Sequence, residues 1–542
     1  MAAPIALGLD FGTESVRAVL VDTSGVCHGS ATDNYHHGQL TETLPGDSVK
    51  LPPRYALQAP GDWLQSAAVA TRAALQAGDV DPQRVVGIGI DFTSCTMLPC
   101  CRNGQPLCEQ PPFATVPLAW PKLWKHHGAI DQTEHMNRIA RQRGEPFLQR
   151  YGGTIGLEWF FPKILETIQN APDVAAAAEV WLEAGDWFVW QLVGSRPEDL
   201  TRSSCQAGYK ALWSAQRGYP SNEYFAAVHP LLAATVEHKL PGKMRSPGQA
   251  AGRLSVAMAE RFGLVAGTVV STATIDAHAA VPGVGVAEPG TMVMVMGTSS
   301  CHMLNANSEV LVPGVAGVVA GGILPELFGY ETGQAAVGDA FAWLKKLLGV
   351  SDFDAIARAA STLPAGAEGL RCLDWMNGCR TPLMDGNLRG AFWGIGLQHG
   401  PEHFYQALME ASAFGLRWIV ELLREAEVPV RRLVATGGLP HHNRGFVEVY
   451  ADVLGREIEI HPATQGSAIG AAVLGMLAAG PQLSGFATVS QAVRTMAAVA
   501  PDRRDLIYPR AERARRYDLI YHEYRQTARW SSENSTMTGE DE

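Results

Sequence analysis

The feature that most constrains this chain is a unit that occurs twice. Ile5 to Asp22 runs as an apolar stretch, a Gly12-Thr13 turn and a second apolar stretch, with Asp10 before the turn and Arg17 after it. Thr291 to Leu304 repeats the design through Gly297 and Thr298. Both turns keep the order Gly-Thr-x-Ser. Each reads as a hairpin whose tight turn calls for a residue without a Cβ. A unit repeated half a chain apart predicts two similar domains facing each other, each offering a hydroxyl-bearing turn to one ligand. Turn amides and the hydroxyls of Thr13 and Thr298 suit phosphate oxygens, and Arg17 can reach the same place. The Asp10 carboxylate suits the water shell of Mg²⁺. The plainer alternative is a pair of surface hairpins with an outward-pointing Arg17. No GxxxxGK[ST] loop occurs, and Gly283, Gly285, Glu288 and Gly290 do not make a dinucleotide fingerprint.

Length supports the duplication, because 542 residues exceed what one core usually holds. The Gly/Pro-rich stretch 282–290 marks the boundary, giving domains 1–285 and 286–520, with a polar tail, 531–542, expected to be disordered. A net charge of −11 argues against nucleic-acid and membrane-surface partners. No apolar run is long enough to span a bilayer and no signal-type segment opens the chain, so a soluble, cytoplasmic protein is expected. The nine cysteines lack CxxC spacing, and reduced, incidental thiols are the reading for Cys95, Cys100, Cys101 and Cys108.

Along the chain, Asp62 is an N-cap candidate for a helix to Ala77, and Arg84–Ile90 a buried strand delivering Asp91 to Thr96 to the carboxyl end of a sheet. Residues 120–143 carry helix-like spacing, Val180 begins another helical segment, and Ala207 to Trp213 reads as a loop. Pro401 to Ala426 is a long helix. The strand 431–436 feeds Gly437-Gly438, and 465–475 is a small-residue helix able to pack closely.

Asp276 follows a strand and precedes small residues. It can accept a hydroxyl proton while a phosphoryl group arrives, or simply cap a helix. His278 is read as a packed histidine. Gly437-Gly438 would let a planar ring lie on the backbone, or is a routine turn. Lys210, Glu158 and Glu331 sit in loops or at element ends, and their spacing alone makes them nothing more than solvated charges. The pairs His126-His127 and His441-His442 diverge, which speaks against shared metals.

Taken together, Asp10 to Arg17, Gly297 to Cys301 and Gly437-Gly438 resemble the phosphate and adenosine motifs of the sugar-kinase/Hsp70/actin superfamily. Tyr151 to Gln169 with Lys163, and Gly390 through Glu410, resemble the signature segments of the FGGY carbohydrate kinases. Asp91–Thr96, Leu157–Trp159, Ala207–Trp213, Ile275–His278, Met296–His302, Gly329–Gln334 and Leu373–Gly378 are similar to the ribulose branch of that family. The resemblance implies an α/β fold of two ribonuclease-H-like domains flanking a central cleft, ATP with Mg²⁺, and transfer to the 5-hydroxyl of L-ribulose by a homodimer. By matching position, Asp276 would be the general base and Asp10 the Mg²⁺ residue, acting through water. Thr13, Arg17, Gly297 and Thr298 would hold phosphates, while Gly437, Gly438, Leu439 and Asn443 would line the adenosine site. Ser94, Lys210, Asp276 and Glu331 would contact the sugar, with Glu158 as a polar contact and Trp124 as a wall. Glu14 replaces a threonine common in such turns and can weaken one phosphate contact. Thr332 replaces a small alanine after the glutamate and can adjust sugar specificity. The alternatives are a sister kinase for D-ribulose, xylulose or a pentitol, and an actin- or Hsp70-type ATPase without a sugar substrate.

Overall fold

The computed structural model describes residues 3–534. Both repeated units fold as antiparallel hairpins, and each heads a seven-stranded sheet. The first sheet contains β1 (Ile5–Phe11), β2 (Ser15–Asp22), β3 (Cys27–Asn34), β4 (Val85–Phe92), β5 (Ala250–Arg253), β6 (Val269–Ser271) and β7 (Thr274–Ile275). Its order is β3-β2-β1-β4-β6-β5, with β7 also pairing β4. The second contains β8 (Thr291–Met296), β9 (Ser300–Ala306), β10 (Gly317–Ala320), β11 (Phe328–Gln334), β12 (Arg432–Thr436), β13 (Ile458–Ile460) and β14 (Asp505–Ile507), ordered β10-β11-β9-β8-β12-β13-β14. In each, the hairpin's first strand pairs in parallel with a later strand, β1 with β4 and β8 with β12. Parallel central strands buried on both faces explain the near-continuous apolar runs.

Four helices bear on the site: α1 (Phe160–Asn170), α2 (Ser204–Lys210), α3 (Asp276–Gly283) and α4 (Gly466–Ala478). The small-residue helix α4 lies in the second half of the chain yet packs on the first sheet. A Cβ on Gly89 would stand 1.6 Å from the Ala471 carbonyl oxygen, and one on Gly8 would stand 2.0 Å from that of Ala468. The same closeness joins α4 to α3, where a Cβ on Gly470 would be 1.8 Å from Ala279 O. Glycine at these points lets backbones touch. A buried cluster of Ala6, Val19, Val281, Val293, Ala468 and Ala472 then unites the two sheets around the α3–α4 pair.

Several local expectations are corrected. The helix Pro60–Ala77 opens on proline at its first position with Ala59 as N-cap. Asp62 is therefore in its first turn, and it accepts hydrogen bonds from the His37 backbone N–H at 2.8 Å and ring Nδ1 at 2.9 Å. Residues 120–129 are not helical. The helix there is Ile130–Arg143, because Lys122 spends its backbone groups bridging to Met97 and Gly128 is pressed against His126 and Glu166. Val180–Glu183 is a strand paired with Met97–Cys100, and the helix starts only at Ala184. Residues 207–210 end α2, which Ser203 caps by accepting from the Gln206 N–H. Glu331 sits inside β11 rather than in a loop. Ser531 to Asn534 continue the final helix, Ala511–Asn534, and the rest of the expected tail lies outside the described residues.

Candidate active site

The parallel register sets Asp10 of β1 beside Asp91 of β4, while the antiparallel register sets Asp10 opposite Arg17. Arg17 Nη1 lies 3.2 Å from Asp10 Oδ2, so the arginine faces the acid rather than solvent. Asp91 is fully buried and neither of its carboxyl oxygens meets a donor. Burial lifts both acids above the usual carboxylate range. For Asp91 the charges of Asp10 and Asp276 push further upward, while Arg17 pulls the other way. Two adjacent carboxylates cannot both ionise freely, so the pair holds a proton unless a cation replaces it. Among the described residues no group of three or more His, Cys, Asp or Glu side chains could cage a metal alone. Orphaned carboxylate oxygens beside the Gly12-Thr13 turn fit Mg²⁺, which keeps several waters and is completed by other oxygen ligands.

Neither Gly12 nor Gly297 adopts a left-handed φ, and a Cβ on either would meet nothing closer than 3.4 Å. The expectation that the turns themselves demand glycine is thus corrected. What the missing side chains leave is open space above the backbone, the condition for a ligand to approach it. Thr13 is held from two sides: Trp124 Nε1 donates to its Oγ1 at 3.2 Å and Gln58 Nε2 to its carbonyl at 2.7 Å. Trp124 therefore touches the Gly12-Thr13 turn rather than standing as a wall beside the Lys210–Glu331 pair. Glu14 is exposed on that turn and accepts from Gln39.

The second turn abuts Gly437-Gly438 through the β8–β12 pairing. The two glycines differ. Gly437 has φ +97° and a Cβ there would fall 2.5 Å from Met296 O, so the fold requires it. Gly438 has only His442 Cδ2 within reach, at 3.9 Å, leaving its surface free for a flat ring. Leu439 is partly buried beside it. Asn443 caps the following helix through the Phe446 N–H and donates to Tyr405 Oη at 2.9 Å.

Asp276 is the first residue of α3, where β7 ends against β4. Burial is the largest influence on its carboxyl, which Asp10 and Glu331 push further up and the Ala277 N–H and Lys210 draw down, leaving it at about 7. Lys210, ending α2, reaches across to Glu331 on β11 at 2.6 Å. Burial opposes the charge on Glu331, but the cations Lys210 and Arg380 outweigh it and hold the carboxyl down at about 2. His278 packs on Tyr209 with its Nε2 3.5 Å from Glu331, and burial lowers it to about 4, so it is the packed neutral histidine expected. Glu158 lies 3.1 Å from His127 Nε2. Ser94 follows β4, on a loop that Lys163 Nζ fixes by donating to Cys95 O at 2.9 Å and Leu123 O at 2.7 Å. Thr332 points to the opposite face of β11 from Glu331 and donates to His302 O at 3.0 Å, so it does not join the Lys210–Glu331 cluster.

The sequence reading missed Asp91 as a site residue, although Leu7-Gly8-Leu9-Asp10-Phe11 and Ile88-Gly89-Ile90-Asp91-Phe92 follow one pattern. It also missed His127 and Arg380, which no spacing signals.

Family models for the FGGY carbohydrate kinases match at both ends: the N-terminal domain over residues 5–283 and the C-terminal domain over 292–479. The chain is 44% identical over 536 residues to a ribulokinase of Anoxybacillus flavithermus, covering 97% of this chain and 94% of that one. It is 39% identical to a ribulokinase of Mycolicibacterium smegmatis, covering 98% and 94%. Among solved structures it is similar in fold to a xylulose kinase from Rhodospirillum rubrum (TM-score 0.77, 21% identity, 98% and 100% covered). The glycerol kinase of Plasmodium falciparum is similar too (TM-score 0.76, 15% identity, 98% of each chain). With an actin-like pair of α/β lobes, a duplicated hydroxyl turn and these matches along nearly its whole length, the chain belongs to the FGGY family of carbohydrate kinases, ATP-dependent enzymes that phosphorylate sugars.

Proposed function

We propose that the protein transfers the γ-phosphoryl group of ATP to the 5-hydroxyl of L-ribulose, with residues 1–285 supplying most of the sugar contacts and 286–520 the adenosine site. One observation carries this reading: a carboxylate at the head of α3, held near pH 7, stands in electrostatic reach of both the Asp10–Asp91 pair and the Lys210–Glu331 pair. It supports a proton acceptor that answers both to the Asp10–Asp91 acids and to the polar Lys210–Glu331 cluster. A base is most effective with a pKa near the working pH. The likeness to ribulokinases of several bacteria supports the ribulose assignment.

Asp276 takes the proton of the attacking hydroxyl as the phosphoryl group arrives. The amides around Gly12 and Gly297 and the hydroxyls of Thr13 and Thr298 hold phosphate oxygens in place. Gly438, Leu439 and Asn443 border the adenosine. Mg²⁺, held by Asp10 and Asp91 through its water shell, would neutralise charge building on the transferring group, the largest effect expected for this chemistry. Lys210, Glu331 and Ser94 orient the sugar, and Glu158 completes its polar surroundings. Sugar-dependent ADP release, measured across L-ribulose, D-ribulose, xylulose and pentitols, tests the proposal. We expect the highest kcat/KM on L-ribulose. A clear preference for another sugar would reassign the substrate, and ADP release driven by a polypeptide but by no sugar would overturn the reading.

A further inference from the structure

Arg380 is a cation left over by the proposed chemistry. It lies between the short strand Arg371–Leu373 and its partner Ala391–Trp393, on a segment held firmly against the second sheet. The Thr381 N–H donates to Gly333 O at 3.1 Å, and the Gly333 N–H donates back to Thr381 Oγ1 at 3.3 Å. At the start of the segment, Asp374 accepts from Tyr524 Oη at 2.8 Å and from Gln334 Nε2 at 2.9 Å. These bonds fix Arg380 over Gly333, which shares its face of β11 with Glu331. Gly333 leaves room for the guanidinium: a Cβ there would lie 3.3 Å from Arg380 Nη1.

A guanidinium carries five donors. Among the described residues the one hydrogen bond of the Arg380 side chain is a weak one, Nη1 to Cys301 Sγ at 3.6 Å, and no carboxylate oxygen comes within 4.0 Å of it. Yet the side chain is only partly exposed, and its charge is felt by Glu331, Glu158, Lys210 and His302. A partly buried cation with most of its donors unused, within electrostatic reach of Glu331 and Glu158, is placed to meet a ligand rather than to bind protein.

We propose that Arg380 is a further sugar-binding residue, donating to hydroxyl or carbonyl oxygens of the ketopentose from its place over Gly333. This rests on the kinase reading above. Loss of a hydrogen bond from a charged donor to a bound substrate is expected to raise the sugar KM by ~10-fold or more in Arg380→Met. The ATP KM should stay within about twofold. Arg380→Lys keeps the charge but loses the planar fork, so it should recover only part of the loss. Isothermal titration of L-ribulose into each variant without nucleotide should show the same order of affinities. An unchanged sugar KM in a folded Arg380→Met enzyme would overturn the inference. So would a rise in the ATP KM alone, which would make Arg380 a phosphate residue. A fall in stability together with a rise in both KM values, unrelieved by lysine, would make it structural and overturn it as well. A wild-type enzyme inert toward every ketopentose would instead sink the kinase reading.

Discussion

The two Gly-Thr turns are alike in sequence and unlike in equipment. The first is backed by acids: Asp10 stands two residues before Gly12, paired with Arg17 and flanked by Asp91. At the matching place before Gly297 the chain has Val295. Thr13 is pinned by Trp124 and Gln58, whereas Thr298 is exposed and is held through its backbone carbonyl, which accepts from the Val337 and Asp339 N–H groups. Opposite Asp10 across its hairpin lies Arg17. Opposite Val295 lies Cys301, and the guanidinium beside that thiol comes from a distant segment as Arg380. On the proposed reading, a duplicated fold supplies two phosphate grips, and only the first carries groups suited to cation and proton chemistry. Duplication would then account for binding, and divergence for catalysis.

The comparison is sharpest at the acids. Asp276→Asn should lower kcat by ~10²–10⁴-fold with near-normal ATP affinity, the range for a lost general base; steady-state kinetics with nearly full turnover would break the assignment. Because its folded pKa is raised to about 7, the ionised form of Asp276 is disfavoured by folding. Its stabilising share is present at low pH and lost as pH rises through about 7. The asparagine variant should therefore melt above wild type at pH 8, with the gain shrinking toward pH 4.

Asp10→Asn should cost ~10²-fold or more in kcat and raise the Mg²⁺ concentration needed for half-maximal rate. If the turns were equivalent, Thr298→Val would do the same. In wild type, kcat/KM should fall about tenfold per pH unit once pH drops below about 7, as Asp276 takes up its proton. A profile flat down to pH 5 would place the working base elsewhere.

Gly89→Ala tests the packing beneath both turns. Its methyl would collide with the Ala471 carbonyl, and overpacking of this kind costs about 1–3 kcal/mol or more, readable as a lowered urea midpoint. The smallest effect is expected at the second turn, where Thr298→Val should raise the ATP KM by about three- to tenfold and leave the sugar KM unchanged.

Much of the molecule is legible along the chain because it depends on local pattern. Alternating and continuous apolar runs mark the strands, the hairpin unit appears twice, and the small residues of α4 announce close packing that Gly8 and Gly89 confirm. Asp10, Asp276 and the open face of Gly438 can be picked out by type and setting. Elements fail where long-range contacts outvote local spacing. Residues 120–129 give up helix to bridge two other segments, and Val180–Glu183 becomes a strand because Met97–Cys100 offers it a partner.

Two hairpin-headed α/β lobes, and the turns that bear their hydroxyls, were set by the order of residues alone, since both follow from neighbours a few positions apart. Folding had to bring the rest together: Asp91 into Asp10's site, Glu331 to Lys210 across 121 positions, and Arg380 to Cys301. Charges act through space, so the protonation of each acid is set by groups that come within range only in the folded chain.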